Sequence, residues 1–72
     1  MTEGLLKVQN LAMIDRTFRE RLLADPVVAV KGAGLVLDSK EMLTVQSEIE
    51  RLKADKTVRE LDDIFRTGAL GW

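Results

Sequence analysis

The side chains with the most distinctive chemistry lie at the end of the chain. Trp72 is the only tryptophan, and an indole can be oxidised or halogenated. Gly71 offers an unhindered backbone amide, Thr67 offers a hydroxyl, and the last residue offers a carboxylate that could be lengthened or trimmed. Because glycines let the backbone extend at small conformational cost, we expect this end of the chain to be able to enter an active site.

The residues that most often perform catalysis are missing. The chain has no Cys and no His, which removes thiolate nucleophiles, disulfides, the usual zinc ligands and the side chain that titrates near neutrality. Its 72 residues make one small domain at most, and so short a chain has little core with which to desolvate a reaction site. We therefore expect a protein that is not an enzyme and that holds no metal and no cofactor.

The charges are nearly balanced. Lys and Arg number 11 and Asp and Glu number 12, for a net charge of -1. A phosphate-binding surface needs clustered basic residues, so we expect no nucleic-acid partner. The one local cluster, Arg16, Arg19 and Arg21, alternates with Asp15 and Glu20, which predicts a solvated helix face.

No apolar run approaches the length of a membrane span and no secretory signal is visible, so we expect no membrane partner and a cytoplasmic location.

Capping residues and hydrophobic spacing predict four to five short helices. The residues suited to the N-cap position are Thr2, Asp15, Asp25, Asp38 and Thr57. Pro26 fits the first position of the helix that follows Asp25. Glu41 and Glu60 lie three residues after two of the other caps, as capping boxes require. Gly34 and Gly68 suit the left-handed residue that ends a helix. With links of two to four residues, these elements predict an all-α fold, a small bundle with a flexible C-terminal tail.

Apolar residues at helical spacing predict the core. Ile14, Phe18 and Leu22 repeat at a spacing of four, which places them on one helix face. The predicted core consists of Leu11, Ile14, Phe18, Leu22, Val28, Leu35, Leu37, Met42, Val45, Ile49 and Leu61. We expect residues 1–66 to form a helical domain and residues 67–72 to form a flexible tail, because glycines and the absence of a cap make the last residues a poor helix.

Part of the chain resembles the leader region of ribosomally synthesised, post-translationally modified peptide precursors (RiPP precursors). The residues concerned are Asp15, Phe18-Arg19, the run Leu22-Leu23-Ala24-Asp25-Pro26, Gly34-Leu35 and Lys40-Glu41. The pattern is similar to that of the nitrile hydratase-like leader peptide clan and its small helical relatives. A similar pattern occurs in the small helical subunit of certain ring-opening dioxygenases and in the precursors of split backbone-methylating systems.

The resemblance implies a scaffold peptide whose leader binds peptide-tailoring enzymes and whose tail is their substrate. The partner-binding residues would be Phe18, Arg19, Leu22 and Leu23, and the modified residues would be Trp72, Gly71 and Thr67. The chain has neither Cys nor a Gly-Gly cleavage site, which disfavours lanthionine and thiazole formation. The enzymes suggested are a tRNA-dependent C-terminal extension enzyme or a tryptophan oxidase, and the free chain is expected to be a monomer.

Other interpretations stay open. Phe18 and Leu22 are also the residues that core packing requires, and Trp72 could fold back over the bundle instead of extending. The chain could be a small helical subunit or adaptor of a larger enzyme complex, as the dioxygenase resemblance allows. A helix-turn-helix DNA-binding protein using residues 39–52 is a third hypothesis, which the net charge disfavours.

Overall fold

Five α-helices make up the regular structure of the described part of the chain. The computed structural model describes residues 2–69, with the side chain of Val58 left out. The helices are α1 (Glu3–Ile14), α2 (Arg16–Ala24), α3 (Pro26–Gly32), α4 (Ser39–Asp55) and α5 (Val58–Thr67). The predicted all-α bundle of short helices is confirmed.

Single aspartates separate the first three helices. Asp15 ends α1 and also caps α2, where its carboxylate accepts a hydrogen bond from the Phe18 amide at 3.1 Å. Asp25 plays the same double role between α2 and α3, with Pro26 as the first helical residue. Both aspartates are extended, which breaks the helix, while their carboxylates satisfy free amides at the next helix start. These one-residue turns are tighter than the predicted links of two to four residues.

A longer connection joins α3 to α4. Gly34 has a φ of 75°, and the Leu35 amide donates to the Val30 carbonyl at 3.1 Å, as in a Schellman motif. The chain then stays extended until Asp38, which caps α4. Asp38 and Glu41 form a capping box, and Thr57 and Glu60 form another at the start of α5. The caps predicted from the sequence are therefore confirmed.

The core draws on all five helices. α4 contacts each of the other four helices, and α1 contacts α2, α4 and α5. The buried apolar residues are Leu5, Val8, Ala12, Phe18, Leu22, Ala29, Val30, Val45, Ile49, Leu52, Leu61 and Phe65. Four further predicted core residues, Leu11, Leu35, Leu37 and Met42, are half-buried and pack against this cluster. Burial of this apolar surface is the main stabilising contribution to the fold.

Two predicted core residues lie outside the core. Ile14 is 83% exposed and Val28 is 64% exposed. Ile14 is the last residue of α1, and the break at Asp15 ends the helical periodicity that was assumed to join it to Phe18. In α3 the residues Ala29 and Val30 face the core, so Val28 lies on the other side of this short helix. The Ile14 prediction was wrong because it extended a helical stripe across a turn, and the Val28 prediction was wrong because it chose the exposed face of a short helix.

The N-terminus of α1 is held against the start of α4. The Thr2 hydroxyl accepts a hydrogen bond from the Leu5 amide and donates one to the Glu41 carboxylate. This bond, together with one from the Asp38 amide, holds the pKa of Glu41 below its ordinary value. A Cβ on Gly4 would overlap the Glu41 carboxylate and lie 2.7 Å from the Leu37 Cδ2 atom. The close approach of these side chains therefore favours glycine in the first turn of α1, although glycine weakens the helix itself.

Gly4→Ala should gain less stability than alanine normally gives a helix. Alanine in place of glycine stabilises a helix interior by about 1 kcal/mol, but here the added methyl group has to displace the Glu41 carboxylate from Thr2 and shift the Leu37 side chain, which offsets part or all of that gain. Gly32→Ala is the matched control, since nothing lies within 4 Å of a Cβ built there, and it should stabilise by about 0.5–1 kcal/mol. Urea unfolding of both variants measures the difference, and equal shifts in the same direction would contradict the packing described.

The bond between Thr2 and Glu41 should make stability depend on pH. Because the folded-state pKa of Glu41 is lowered, the unfolded state binds its proton more tightly, and the stabilisation is complete above the unfolded pKa and lost as pH falls through the folded pKa. A double-mutant cycle with Thr2→Val and Glu41→Gln isolates the pair from the separate role of Thr2 as a cap. We expect a favourable coupling free energy at about pH 7 and a much smaller one at about pH 2.5. A coupling that is the same at both values would show that the ionised carboxylate is not involved.

Candidate functional site

Arg19 joins three helices from a buried position. The residue is 7% exposed. Its Nη1 atom donates to the Ala12 and Met13 carbonyls at 3.0 and 3.1 Å, at the C-terminal end of α1. Its Nε atom donates to the Asp62 carboxylate of α5 at 3.1 Å. The guanidinium therefore satisfies two carbonyls that have no partner within α1, and it places a positive charge at the negative end of that helix.

The prediction that Arg19 is solvated was wrong. Arg19 lies one residue after Phe18 and three before Leu22, so it shares the face that packs into the bundle. The spacing alone could have placed it there, but an arginine is rarely buried without partners. Its partners belong to the end of α1 and to α5, and the chain brings these together only after α2 has folded back at Asp15.

Three of the four predicted partner-binding residues are inside the bundle. Phe18 is 4% exposed and Leu22 is 0% exposed, and Arg19 is occupied as described. Leu23 is half-buried and remains open to contact. The binding role of these residues stays a prediction. A partner could reach Phe18 and Leu22 only after α2 had left the bundle, whereas Leu23 is available in the folded chain.

Leu23 lines a groove of about 510 Å³ between α2 and α5. The groove is lined by Arg16, Arg19, Glu20, Leu23, Arg59, Asp62 and Asp63. Most of these charges are already paired: Arg16 lies 3.4 Å from Glu20, Arg19 bonds Asp62, and Asp63 lies 3.1 Å from Arg66. Arg59 has no ion pair with any residue in the range 2–69. The groove was not predicted, because it depends on the packing of α2 against a helix more than 30 residues away in sequence.

The last turn in the described part of the chain is at Gly68, where α5 ends. Gly68 has a φ of 72°, and the Ala69 amide donates to the Ile64 carbonyl at 3.0 Å, which completes a second Schellman motif. The Gln9 side-chain amide of α1 donates to the Gly68 carbonyl at 3.3 Å. The Gln9 Oε1 atom is buried and has no hydrogen-bond partner within the described residues. α1 therefore holds the end of α5 in place.

Of the three predicted modification residues, Thr67 lies in the described part of the chain and the other two do not. Thr67 is the last residue of α5, where its hydroxyl donates to the Asp63 carbonyl at 2.8 Å. The helix thus continues one residue beyond the predicted domain boundary at residue 66. Gly71 and Trp72, and the tail predicted for them, lie outside the described residues. Thr67 is exposed, but its hydroxyl is bonded within the helix and is not part of a free segment.

Neither a metal site nor a known relative indicates what the chain does. Within residues 2–69 no three acidic side chains converge as a metal site would require. None of the helices in this range is both long and apolar enough to cross a membrane. Comparison with protein-family models, with curated proteins and with solved structures finds no match to this chain.

Removing the Arg19 guanidinium should be strongly destabilising. Arg19→Met keeps much of the apolar stem but leaves the Ala12 carbonyl buried without a partner and the Met13 carbonyl poorly satisfied, and we expect a loss of about 3 kcal/mol. Arg16→Met is the matched control in the same helix, because the Arg16 and Glu20 side chains are 81% and 68% exposed and such pairs contribute less than about 1 kcal/mol. Urea unfolding measures both. Similar small losses would mean that the Arg19 contacts do not hold the bundle together.

Proposed function

We propose that the chain is the precursor, or scaffold, peptide of a modified peptide natural product. The folded helices act as a leader that binds tailoring enzymes in the cytoplasm, and the segment after Gly68 is the substrate. One observation carries the proposal: every buried apolar residue of the described range lies between Leu5 and Phe65, and a Schellman motif closes the fold at Gly68. The core therefore includes none of the described residues after Phe65.

The groups that an enzyme could modify most easily belong to residues that follow α5 in the sequence. Trp72 offers an indole for an oxidising or halogenating enzyme, and Gly71 offers an unhindered amide. The Thr67 hydroxyl is a poorer substrate, because an enzyme would first have to break its bond to the Asp63 carbonyl and open the last turn of α5. The chain itself contributes no thiol and no imidazole, so the enzyme supplies the reacting groups.

A second candidate is a small helical subunit or adaptor of a larger enzyme. Exposed apolar side chains support it, among them Val28 at 64% and Leu43 at 61% exposure, because burial against a permanent partner would remove them from water. The two proposals differ in what happens to the end of the chain. A precursor is covalently changed there, whereas an adaptor stays unmodified in a complex of fixed composition.

The test is the mass of the last tryptic peptide. Arg66 is the last basic residue, so trypsin releases a peptide that begins at Thr67 and contains all three predicted modification residues. We expect this peptide to carry a mass shift in protein purified from source cells and to have its unmodified mass in protein made in a host that lacks the tailoring enzymes. Tandem mass spectrometry locates the change, and we expect it at Trp72 or Gly71.

Whether modification requires the folded helices is tested with the variants Arg19→Met and Arg16→Met. In source cells Arg19→Met should lose most of the modification, while Arg16→Met should keep it. An unmodified terminal peptide in wild-type protein that copurifies in fixed stoichiometry with an enzyme would contradict the precursor and support the adaptor. Full modification of Arg19→Met, once its unfolding has been shown, would mean that the enzymes read a linear sequence.

A further inference from the structure

The link between α3 and α4 is the longest connection between helices in the described part of the chain. It consists of residues 33–38, whereas the other connections have one or two residues. Leu35 and Leu37 are half-buried and pack against the core, while Val36 between them is 91% exposed. Such alternation is typical of an extended segment. The link is therefore fixed to the bundle by two leucines and presents one valine to solvent.

Hydrogen bonds hold both ends of the link but not its middle. The Gly34 and Leu35 amides donate to carbonyls of α3 at 3.0 and 3.1 Å. The Asp38 amide donates to a carboxylate of α4 at 3.0 Å. The amides of Val36 and Leu37 form no hydrogen bond with any residue in the range 2–69. The backbone on either side of Val36 is therefore open to an external partner.

One peptide bond of the link has the features that an endopeptidase requires. Enzymes of this class bind an extended segment through its backbone, and a pocket for the side chain before the cut sets their specificity. The bonds after Leu35 and Leu37 follow half-buried side chains, and the bond after Gly34 has its amide bonded to α3. Only the bond after Val36 combines an exposed side chain before the cut with a free amide after it.

We propose that the peptide bond between Val36 and Leu37 is a cleavage site for an endopeptidase whose specificity pocket accepts a small aliphatic side chain. Hydrolysis adds one water across the bond, which leaves a carboxylate on Val36 and an ammonium group on Leu37, and no electrons are transferred. A narrow pocket of the elastase type suits valine. The site is a property of the folded link and does not rest on the precursor function.

Exposed aliphatic side chains elsewhere do not offer the same site. Val28 and Leu43 are 64% and 61% exposed, but they lie within α3 and α4. An endopeptidase would have to unwind a helical turn before it could cut there. The connection between α4 and α5 is closed in another way, because the Lys56 and Thr57 amides are both hydrogen-bonded.

A cut after Val36 divides the core between two fragments. Residues 1–36 carry α1, α2 and α3, and residues 37–72 carry α4 and α5. The bond between Arg19 and Asp62 then joins separate molecules, so folding requires association and depends on concentration. We expect the cut protein to lose helix content on dilution, as followed by circular dichroism, whereas the intact chain keeps its helix content.

The site is tested by digesting the folded full chain with a small amount of pancreatic elastase. We expect the first products, identified by intact mass, to be residues 1–36 and 37–72. Val36→Asp should slow this cut at least about tenfold, because a charged side chain does not suit a small apolar pocket. Since Val36 is exposed, the variant should unfold in urea much as the wild type does.

Val28→Asp is the matched control for this loss of an exposed valine. Val28 lies in the first turn of α3, where a negative charge suits the helix. Elastase should cut this variant after Val36 at the wild-type rate. Equal slowing of both variants would show that the added charge acts without regard to position, and this would contradict the assigned site.

A second variant separates the open backbone from the choice of enzyme. Val36→Arg places in the link a side chain that the trypsin pocket accepts. We expect trypsin to cut this variant after position 36 before it cuts after Arg16, whose side chain is 81% exposed but lies in α2. Earlier cutting after Arg16 would show that the link is not the accessible part of the backbone.

Four further results would overturn the proposal. First cuts spread over the helices would mean that elastase acts on the unfolded chain. Unchanged cutting of Val36→Asp would place the site elsewhere. A stable complex with elastase in which the bond stays intact would make the link an inhibitor rather than a substrate. Helix content that does not change when the fully cut protein is diluted would contradict the expected separation of the fragments.

The cleavage site and the proposed function can fail separately. If elastase cuts after Val36 but the terminal tryptic peptide from source cells has its unmodified mass, the precursor function is wrong and the cleavage site stands. If that peptide carries a mass shift but the folded link resists elastase, the cleavage site is wrong and the precursor function stands.

Discussion

The fold depends on a buried arginine that ties the beginning of the chain to its end. Arg19 bonds two carbonyls at the end of α1 and the Asp62 carboxylate of α5. A guanidinium removed from water is costly unless all its partners are in place, so α2 can dock stably only when α1 and α5 are both present. The arginine thus links helices that are distant in sequence.

The helix caps act locally, unlike the bonds from Thr2 to Glu41 and from Gln9 to Gly68. Each aspartate or threonine before a helix accepts a hydrogen bond from the amide three residues later, and this decides where the chain turns. A carboxylate that caps a helix stays ionised, so capping decides where the chain turns without removing negative charge from the surface.

The local character of caps explains what could be predicted from the sequence. Thr2, Asp25 and Gly68 each act on neighbours within a few residues, so their roles follow from residue type and spacing. The burial of Arg19 does not follow in this way, because its partners come from two other helices.

Glu48 is a second charged residue that is buried although its residue type is typical of the surface. It lies three residues after Val45 on the buried face of α4, is 9% exposed, and has its carboxylate 2.6 Å from the Arg51 Nε atom. The groove beside Leu23 is likewise a product of tertiary packing, and no pattern within a single helix indicates it. The sequence predicted the elements well and the surfaces poorly.

The energetics of the core favour docking through a face that is already exposed. A partner that used Phe18 and Leu22 would have to pull them from the bundle, at a cost of about 1.5–3 kcal/mol for each side chain, and would also break the contacts of Arg19. Those losses would consume much of the stability of a domain this small. A partner that used an exposed side chain such as Leu43 would lose none of it, since Leu43 is already 61% exposed. Binding to such a side chain therefore leaves the core and the contacts of Arg19 intact.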